Sequence, residues 1–397
     1  MRGDVSPFKV FYIFPETRRR VEIIQSGYRV TERNRPEVLL DFCFLPYYNE
    51  PMFKDIFKLK IWGDSLGVDL GTTNTLIWAK KKGIILNMPS ILALTRKEGK
   101  VLGIGEEAKD MLGKAPQNIV VVRPLEGGVI ADFDIAQKMI ECFISQVQSY
   151  RRLIGPRLVI GVPSQATKVE KKAVVDIGTQ LGARRVHLVA EPVAAAIGSG
   201  LPVSEPVGNM IVDIGGGTSE AAITSLSGVV LSKSIRIAGD EMDRVITQYI
   251  REEHNILIGE QMAERIKISI GCVGPPSAKE TMKARGKNLV TGFPVEIELN
   301  SEELSAVLSP VIDIICNMIE ATLEESPPEL AGDIMRRGVF LAGGGACLKG
   351  FDRYISERTH LSVSKTEDPL LSVVKGTGML LENSNLLSLV EITPDFQ

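Results

Sequence analysis

The stretch Val68-Asp69-Leu70-Gly71-Thr72-Thr73-Asn74-Thr75 returns in altered form as Val212-Asp213-Ile214-Gly215-Gly216-Gly217-Thr218-Ser219. Each is an apolar run closed by an aspartate, then a turn of small and hydroxylated residues. A second apolar run follows, Leu76-Ile77-Trp78-Ala79 in one and Ala221-Ala222-Ile223 in the other. That pattern predicts two β-hairpins with glycine-containing turns. Glycine lets backbone N–H groups approach an anion, and concave turns of consecutive N–H groups bind phosphate. An aspartate ending each strand is placed to hold the metal that accompanies phosphates, directly or through water, because Mg²⁺ keeps most of its waters. Either copy alone reads equally well as an ordinary tight turn. Two copies, each with Asp two residues before the turn glycine, point to hairpins that clamp a nucleoside triphosphate from both sides.

A chain of 397 residues has room for two or more domains with substantial cores. Hydrophobic residues at 44% and charged residues at 24% describe an ordinary soluble protein. A net charge of −3 gives no reason to expect nucleic acid, whose binders carry basic surfaces. Cys43, Cys142, Cys272, Cys316 and Cys347 form no CxxC pair, which fits free thiols in a reducing compartment. His187, His254 and His360 are far apart, against a histidine metal centre. No apolar run reaches the ~18 residues of a spanning helix, and no signal peptide opens the chain. The expectation is a cytoplasmic protein.

Residues 1–63 are net basic and rich in Phe and Tyr, whereas the remainder is acidic. Residues 1–51 hold no motif and read as an appendage, poorly ordered or loosely packed, or as an upstream start the cell does not use. Met52 opens what looks like a fresh N-terminus, residues 52–63. Phe53, Ile56, Phe57 and Lys60 fall at helical spacing, with Lys54 and Lys58 interleaved and Trp62 at the end. Such a basic amphipathic stretch suits a membrane interface; a first element packing on the core suits it equally.

From Asp64 onward strand-like and helix-like segments alternate, as in an α/β protein. Residues 157–163 read as a buried strand. A helix opened by the capping box Thr167-x-x-Glu170 runs from there to Gly182. Residues 185–191 read as the next strand, followed by a helix with Pro192 at its first position. Residues 198–208 form the candidate hinge. The second half repeats the plan: hairpin 209–224, helix 240–255, a mixed region 271–299, helix 302–325, and strand 338–342 leading into Gly343-Gly344-Gly345-Ala346. A helix is expected from Leu348, its N-terminus offering further N–H groups to a ligand. No Walker A sequence and no helix-opening GxGxxG is present, which disfavours P-loop and dinucleotide folds.

Glu191 closes a strand just before a helix, where α/β folds place functional groups. It could orient a water for attack on a γ-phosphate, which needs positioning more than strong basicity. The same carboxylate could equally be satisfied by the helix N-terminus. Glu264 and Lys267 stand three apart on one helical face and read either as nucleoside contacts or as a surface ion pair.

The duplicated Asp hairpins resemble the actin, heat-shock chaperone and sugar kinase superfamily. From about residue 64 to 389 the chain resembles the MreB family of bacterial actins more specifically. The resemblance rests on Asp69-Leu-Gly-Thr-Thr-Asn-Thr75, Arg123-Pro-Leu-Glu-Gly-Gly-Val-Ile-Ala-Asp132, Glu191-Pro-Val-Ala-Ala-Ala-Ile-Gly198 and Asp213-Ile-Gly-Gly-Gly-Thr218. Ala238-Gly-Asp-Glu-Met-Asp243, Ala263-Glu-Arg-Ile-Lys267, Pro327-Pro-Glu-Leu330 and Ala342-Gly-Gly-Gly-Ala346 add to it. It implies an actin-like fold of two α/β lobes closing on ATP and Mg²⁺. The first lobe would span 64–200 with an insertion at about 94–134, and the second 201–374 with an insertion at about 241–306. Residues 375–397 would return to the first lobe.

By the same resemblance Gly71, Thr72, Thr73 and Asn74 form the first phosphate loop, and Gly215, Gly216, Gly217 and Thr218 the second. Asp69 and Asp213 stand on the metal side, and Glu191, with Asp213, on the catalytic side. Glu264 and Lys267 would meet ribose and adenine, and Gly343, Gly344, Gly345 and Ala346 the base. The implied function is ATP-dependent polymerisation, with slow hydrolysis, into paired protofilaments at the inner face of the bacterial membrane. There the filaments would work with membrane proteins of the elongation machinery to direct cell-wall synthesis and set cell shape. Lipid contact would come from Phe53, Ile56, Phe57 and Trp62 and from Leu153 and Ile154, although the last two could instead cap the core. Three departures stand out: Thr73 where the family usually has Ala, Ala190 where an acidic residue is common, and the foreign 51-residue lead. A sugar-kinase-like phosphotransferase and a chaperone-type ATPase are the alternatives within the superfamily.

Overall fold

The computed structural model describes residues 65–147, 155–276 and 278–392. The N-terminal extension and the candidate membrane residues Phe53, Ile56, Phe57, Trp62, Leu153 and Ile154 lie outside them.

Two sheets carry one plan twice. The first comprises β1 (Leu66–Leu70), β2 (Asn74–Ala79), β3 (Gly83–Pro89), β4 (Arg157–Val162) and β5 (Arg185–Ala190). The second comprises β6 (Asn209–Ile214), β7 (Ser219–Ser225), β8 (Gly228–Ile235), β9 (Val339–Ala342) and β10 (Val363–Lys365). The spatial orders are β3-β2-β1-β4-β5 and β8-β7-β6-β9-β10, and β11 (Glu391–Ile392) extends the first sheet beyond β5. In each, an antiparallel three-strand meander joins parallel strands through its first strand. The inner parallel strands β4, β6 and β9 are near-continuous apolar runs, as strands buried on both faces are, whereas the edge strand β10 reads Val363-Ser364-Lys365 and is only partly buried.

Strand alternation sorts the side chains between two sides. Leu66, Val68 and Leu70 enter a core with Met139 and Phe143 of the helix Phe133–Val147. Met210, Val212 and Ile214 enter the core of the second half with Ile246 and Ile312. The opposite parity faces the space between the sheets, where Val159 and Val189 of the first meet Ile211, Ala222 and Ala342 of the second. The helices Glu191–Gly198 and Ser372–Glu382 fill that space, meeting closely at Gly198, Ala194 and Gly376. Asp69 and Asp213 share this parity, so both carboxylates point between the sheets.

Smaller sheets cap each half. One is built from Leu92–Thr95, Val101–Ile104 and Ile119–Val122, and another from Ile256–Leu257, Thr281–Asn288 and Pro294–Asn300. The capping box at Thr167 forms as expected, with Thr167 Oγ1 accepting from Glu170 N at 3.3 Å; its helix ends at Gln180, two residues early. The Ser301–Glu324 helix is long and apolar enough to cross a membrane by length and composition, but Leu304, Leu308, Ile312 and Ile319 bury it in the core. The helix expected from Leu348 begins only at Phe351. Gly344–Cys347 form a short 3₁₀ turn, and Gly350, at φ 79°, interrupts any helix running through it.

Candidate functional site

A cleft of about 1100 Å³ opens between the two hairpins. The first loop is braced from behind: Ser90 Oγ donates to Gly71 O at 2.6 Å and shares a 2.8 Å hydrogen bond with Thr75 Oγ1. The second loop is braced from the side, with Gly239 N donating to Gly215 O at 3.2 Å and Asp240 N to Gly216 O at 2.8 Å. The loops touch each other. A Cβ on Gly216 would overlap the Thr73 hydroxyl, and one on Gly217 would crowd Thr72 Oγ1. Glycine in the second loop is therefore a packing requirement as well as a source of exposed N–H groups.

A short hairpin, Leu125–Glu126 with Val129–Ile130, leans over this junction. Its Gly128 N donates to Thr72 Oγ1 at 2.9 Å. Across the cleft Thr73 Oγ1 donates to Asp240 Oδ1 at 3.5 Å, the outer limit of a hydrogen bond.

Asp69, Asp213 and Glu191 line the floor, and no ion pair to Lys or Arg holds any of them among the described residues. Burial, then the neighbouring Asp213 charge, pushes the Asp69 carboxyl up to about 7. Burial alone raises Asp213 to about 6. Glu191 is held well above the ordinary carboxylate range by burial and then by Asp69, Asp213 and Glu220. Such a set stores repulsion that a cation would relieve. Among the described residues no group of three or more His, Cys, Asp or Glu is arranged as a ready-made metal cage. Two strand-end carboxylates suit Mg²⁺, which brings its own waters and shares phosphate oxygens.

The sequence-predicted residues converge with few exceptions. Gly71, Thr72, Thr73, Asn74, Gly215, Gly216, Gly217, Thr218, Gly343, Gly344 and Gly345 all line the cleft, as do Glu264 and Lys267. Ala346 does not; its side chain is fully buried in the core of the second half. Glu264 and Lys267 are neither a mutual pair nor a surface pair. Lys267 Nζ donates to Gly239 O and to Asp243 Oδ2, both at 2.8 Å, bracing the loop beside the second hairpin. Glu264 pairs with Lys109 from the facing half at 2.7 Å. Gly343 takes φ 80°, and a Cβ there would strike Asp213 Oδ1.

Sequence reading missed Glu220, Asp243, Arg123 and Lys109. Glu220 was within reach of it: a hairpin that turns between Ile214 and Ser219 sets Asp213 opposite Glu220 in register. The others depend on tertiary packing.

The MreB/Mbl family model matches residues 63–389. The chain belongs to the MreB/Mbl family. The cell shape-determining protein MreB of Escherichia coli (strain K12) is 46% identical over 327 residues, covering 81% of this chain and 94% of that protein. The cell shape-determining protein Mbl of Bacillus subtilis (strain 168) is 44% identical over 322 residues, covering 81% and 97%. Among solved structures, MreB5 of Spiroplasma citri bound to ADP superposes with TM-score 0.78 at 34% identity, covering 83% of this chain and 98% of that one. The same MreB5 has been seen bound to AMPPNP. The actin-like α/β fold expected from the sequence is borne out, and the MreB/Mbl match spans both hairpins and the Gly343 turn.

Proposed function

We propose that this MreB/Mbl member binds ATP with Mg²⁺ in the cleft, hydrolyses it slowly and assembles into filaments. The observation that carries the reading is the junction of the two Asp hairpins, with Glu191 on the floor between them. Nucleotide-bound MreB5 structures and relatives named for determining cell shape support it. The N–H groups of Gly215, Gly216 and Gly217 and the Thr72 and Thr73 hydroxyls would hold phosphate oxygens. Asp69 and Asp213 would hold the metal side, and Mg²⁺ when bound neutralises charge on the phosphates. Glu191 would orient the attacking water. Gly343, Gly344 and Gly345 let a flat base approach the backbone, while Glu264 and Lys267 sit where ribose and base would lie. The small sheets of the two halves are the insertions of two lobes that close on the nucleotide.

Head-to-tail stacking of such subunits is a heterologous contact that does not close, and so builds filaments. We assign these filaments to the inner face of the bacterial membrane, where they direct cell-wall synthesis with membrane partners. The anchors would be Phe53, Ile56, Phe57 and Trp62 together with Leu153 and Ile154. Many weak anchors along one filament add through multivalency. Electron microscopy with ATP tests the central claim: paired straight protofilaments are expected. A monodisperse monomer at every concentration and nucleotide state would overturn it. Liposome flotation tests the membrane part, with co-flotation expected to fall when Leu153 and Ile154 are both changed to Ser.

A further inference from the structure

At the floor of the cleft one hydrogen-bonded contact crosses between the sheets. Strand β4 ends at Val162, and Pro163 follows with no N–H to give. The next donor, Ser164 N, bonds Glu220 Oε1 at 3.2 Å and Oε2 at 3.4 Å. Ser164 follows a strand of the first sheet, whereas Glu220 stands on β7 of the second. Gln165 adds a second crossing, from Nε2 to Ser232 O on β8 at 3.1 Å. Glu220 is only 3% exposed, yet it lines the cleft and stands opposite Asp213 in register. The Ser164 hydroxyl is buried beside this contact. Burial holds the Glu220 carboxyl up at about 7, against the opposing pull of the Ser164 hydroxyl and N–H.

The first hairpin has no equivalent group, since Leu76 stands opposite Asp69. Hairpin duplication therefore does not explain Glu220. Its contacts do.

We propose that Glu220 is a positioning residue: by holding Ser164 to the second sheet it sets the angle at which the Asp69 and Asp213 hairpins face each other. The proposal rests on the cleft being the ATP site. Glu220 acts through the loop at residues 163–165, not on the phosphates, so what matters is an oxygen acceptor at the right reach. Its negative charge is secondary.

Three full-chain variants separate these roles. Glu220→Gln keeps the length and one acceptor oxygen but loses the charge. Glu220→Asp keeps the charge but falls one methylene short. Glu220→Ala loses both. The first readout is hydrogen exchange at the Ser164 amide without nucleotide; the second is single-turnover ATP hydrolysis, with AMPPNP affinity alongside. In Glu220→Gln both exchange and hydrolysis should stay within about threefold of wild type. In Glu220→Asp and Glu220→Ala exchange should rise about tenfold or more, and hydrolysis should fall by a similar factor with AMPPNP affinity little changed. A wild-type Glu220→Asp overturns the proposal. So does a Glu220→Gln as slow as Glu220→Asp, because charge would then be the property in use and Glu220 would belong with the catalytic groups. Should Glu220→Ala fail to fold, the Asp and Gln variants still decide. The exchange measurement needs no nucleotide. A wild-type protein that hydrolysed no ATP would sink the ATPase reading and leave the positioning role to be judged on exchange alone.

Discussion

The two hairpins share a backbone and differ in what they carry. Asp69 faces Leu76 across the first, and Asp213 faces Glu220 across the second. The first loop offers hydroxyls, Thr72 and Thr73, where the second offers bare backbone at Gly216 and Gly217. These differences fit together, because the glycines leave room for the threonine hydroxyls. Duplication has thus produced complementary surfaces. One presents hydroxyl groups; the other presents N–H groups and a second carboxylate tied to the opposite sheet.

The largest effect should come from the residue that belongs to neither hairpin. Glu191→Ala is expected to leave nucleotide binding intact and to slow single-turnover hydrolysis by about 10²-fold or more, the usual worth of a positioned general base. Rapid-quench measurement of phosphate formation decides it. Hydrolysis at the wild-type rate would mean that the carboxylates on the hairpins suffice to orient water, and the comparison would have to absorb that task.

The fold was largely legible because its signals are local. The Asp-turn pattern, the Thr167 capping box and the alternation of apolar strands each lie within a few residues. The site was legible where glycine or aspartate ended a strand. It was not legible where partners are distant in sequence: Lys109 reaches Glu264 from the facing half, and Asp243 takes Lys267 from the adjacent helix. A three-residue Glu–Lys spacing suggested that those two face one another, and tertiary packing gave each a different partner. Ala346 lies outside the cleft lining for a different reason. The glycines before it form a 3₁₀ turn that directs its methyl into the core.

Titration should separate the hairpins next. In the nucleotide-free, metal-free protein Asp69 and Glu220 sit near 7 and Asp213 near 6, each raised chiefly by burial. A carboxyl whose folded value lies above its unfolded one favours folding while protonated. Its stabilisation is complete below about pH 4 and is lost as pH rises through 6 and 7. Asp243, raised to about 6 by burial against the pull of Lys267, acts in the same direction. The nucleotide-free protein should therefore be more stable at pH 5 than at pH 8, and Glu191, also raised by burial, acts in the same direction. Urea unfolding at the two pH values measures this. Glu220→Leu, which gives the second hairpin the residue of the first, should flatten the dependence. An unchanged slope in that variant would place the titration elsewhere.

Asp213→Ala tests the metal side with a smaller change. Removing one of two carboxylates next to the phosphates should weaken Mg²⁺·ATP binding about tenfold, while binding of ATP in EDTA changes little or improves as repulsion falls. Isothermal titration with and without Mg²⁺ reads the difference. Equal weakening in both conditions would show that Asp213 shapes the loop and does not serve the metal.

The smallest effect belongs to the point where the hairpins touch. Thr73 Oγ1 reaches Asp240 at 3.5 Å, a marginal hydrogen bond, so Thr73→Ala should cost about 1 kcal/mol or less in stability. The same hydroxyl occupies the place a Cβ on Gly216 would take. Gly216→Ala alone should therefore force the loops apart and weaken nucleotide binding, whereas in the Thr73→Ala background the added methyl meets less obstruction. A double-mutant cycle on ADP affinity should show coupling of about 1 kcal/mol, with the double variant nearer wild type than Gly216→Ala. Strict additivity would mean that the loops are held apart by their own braces, Ser90 behind the first and residues 238–240 beside the second. The complementarity of glycine and threonine would then be a coincidence of packing.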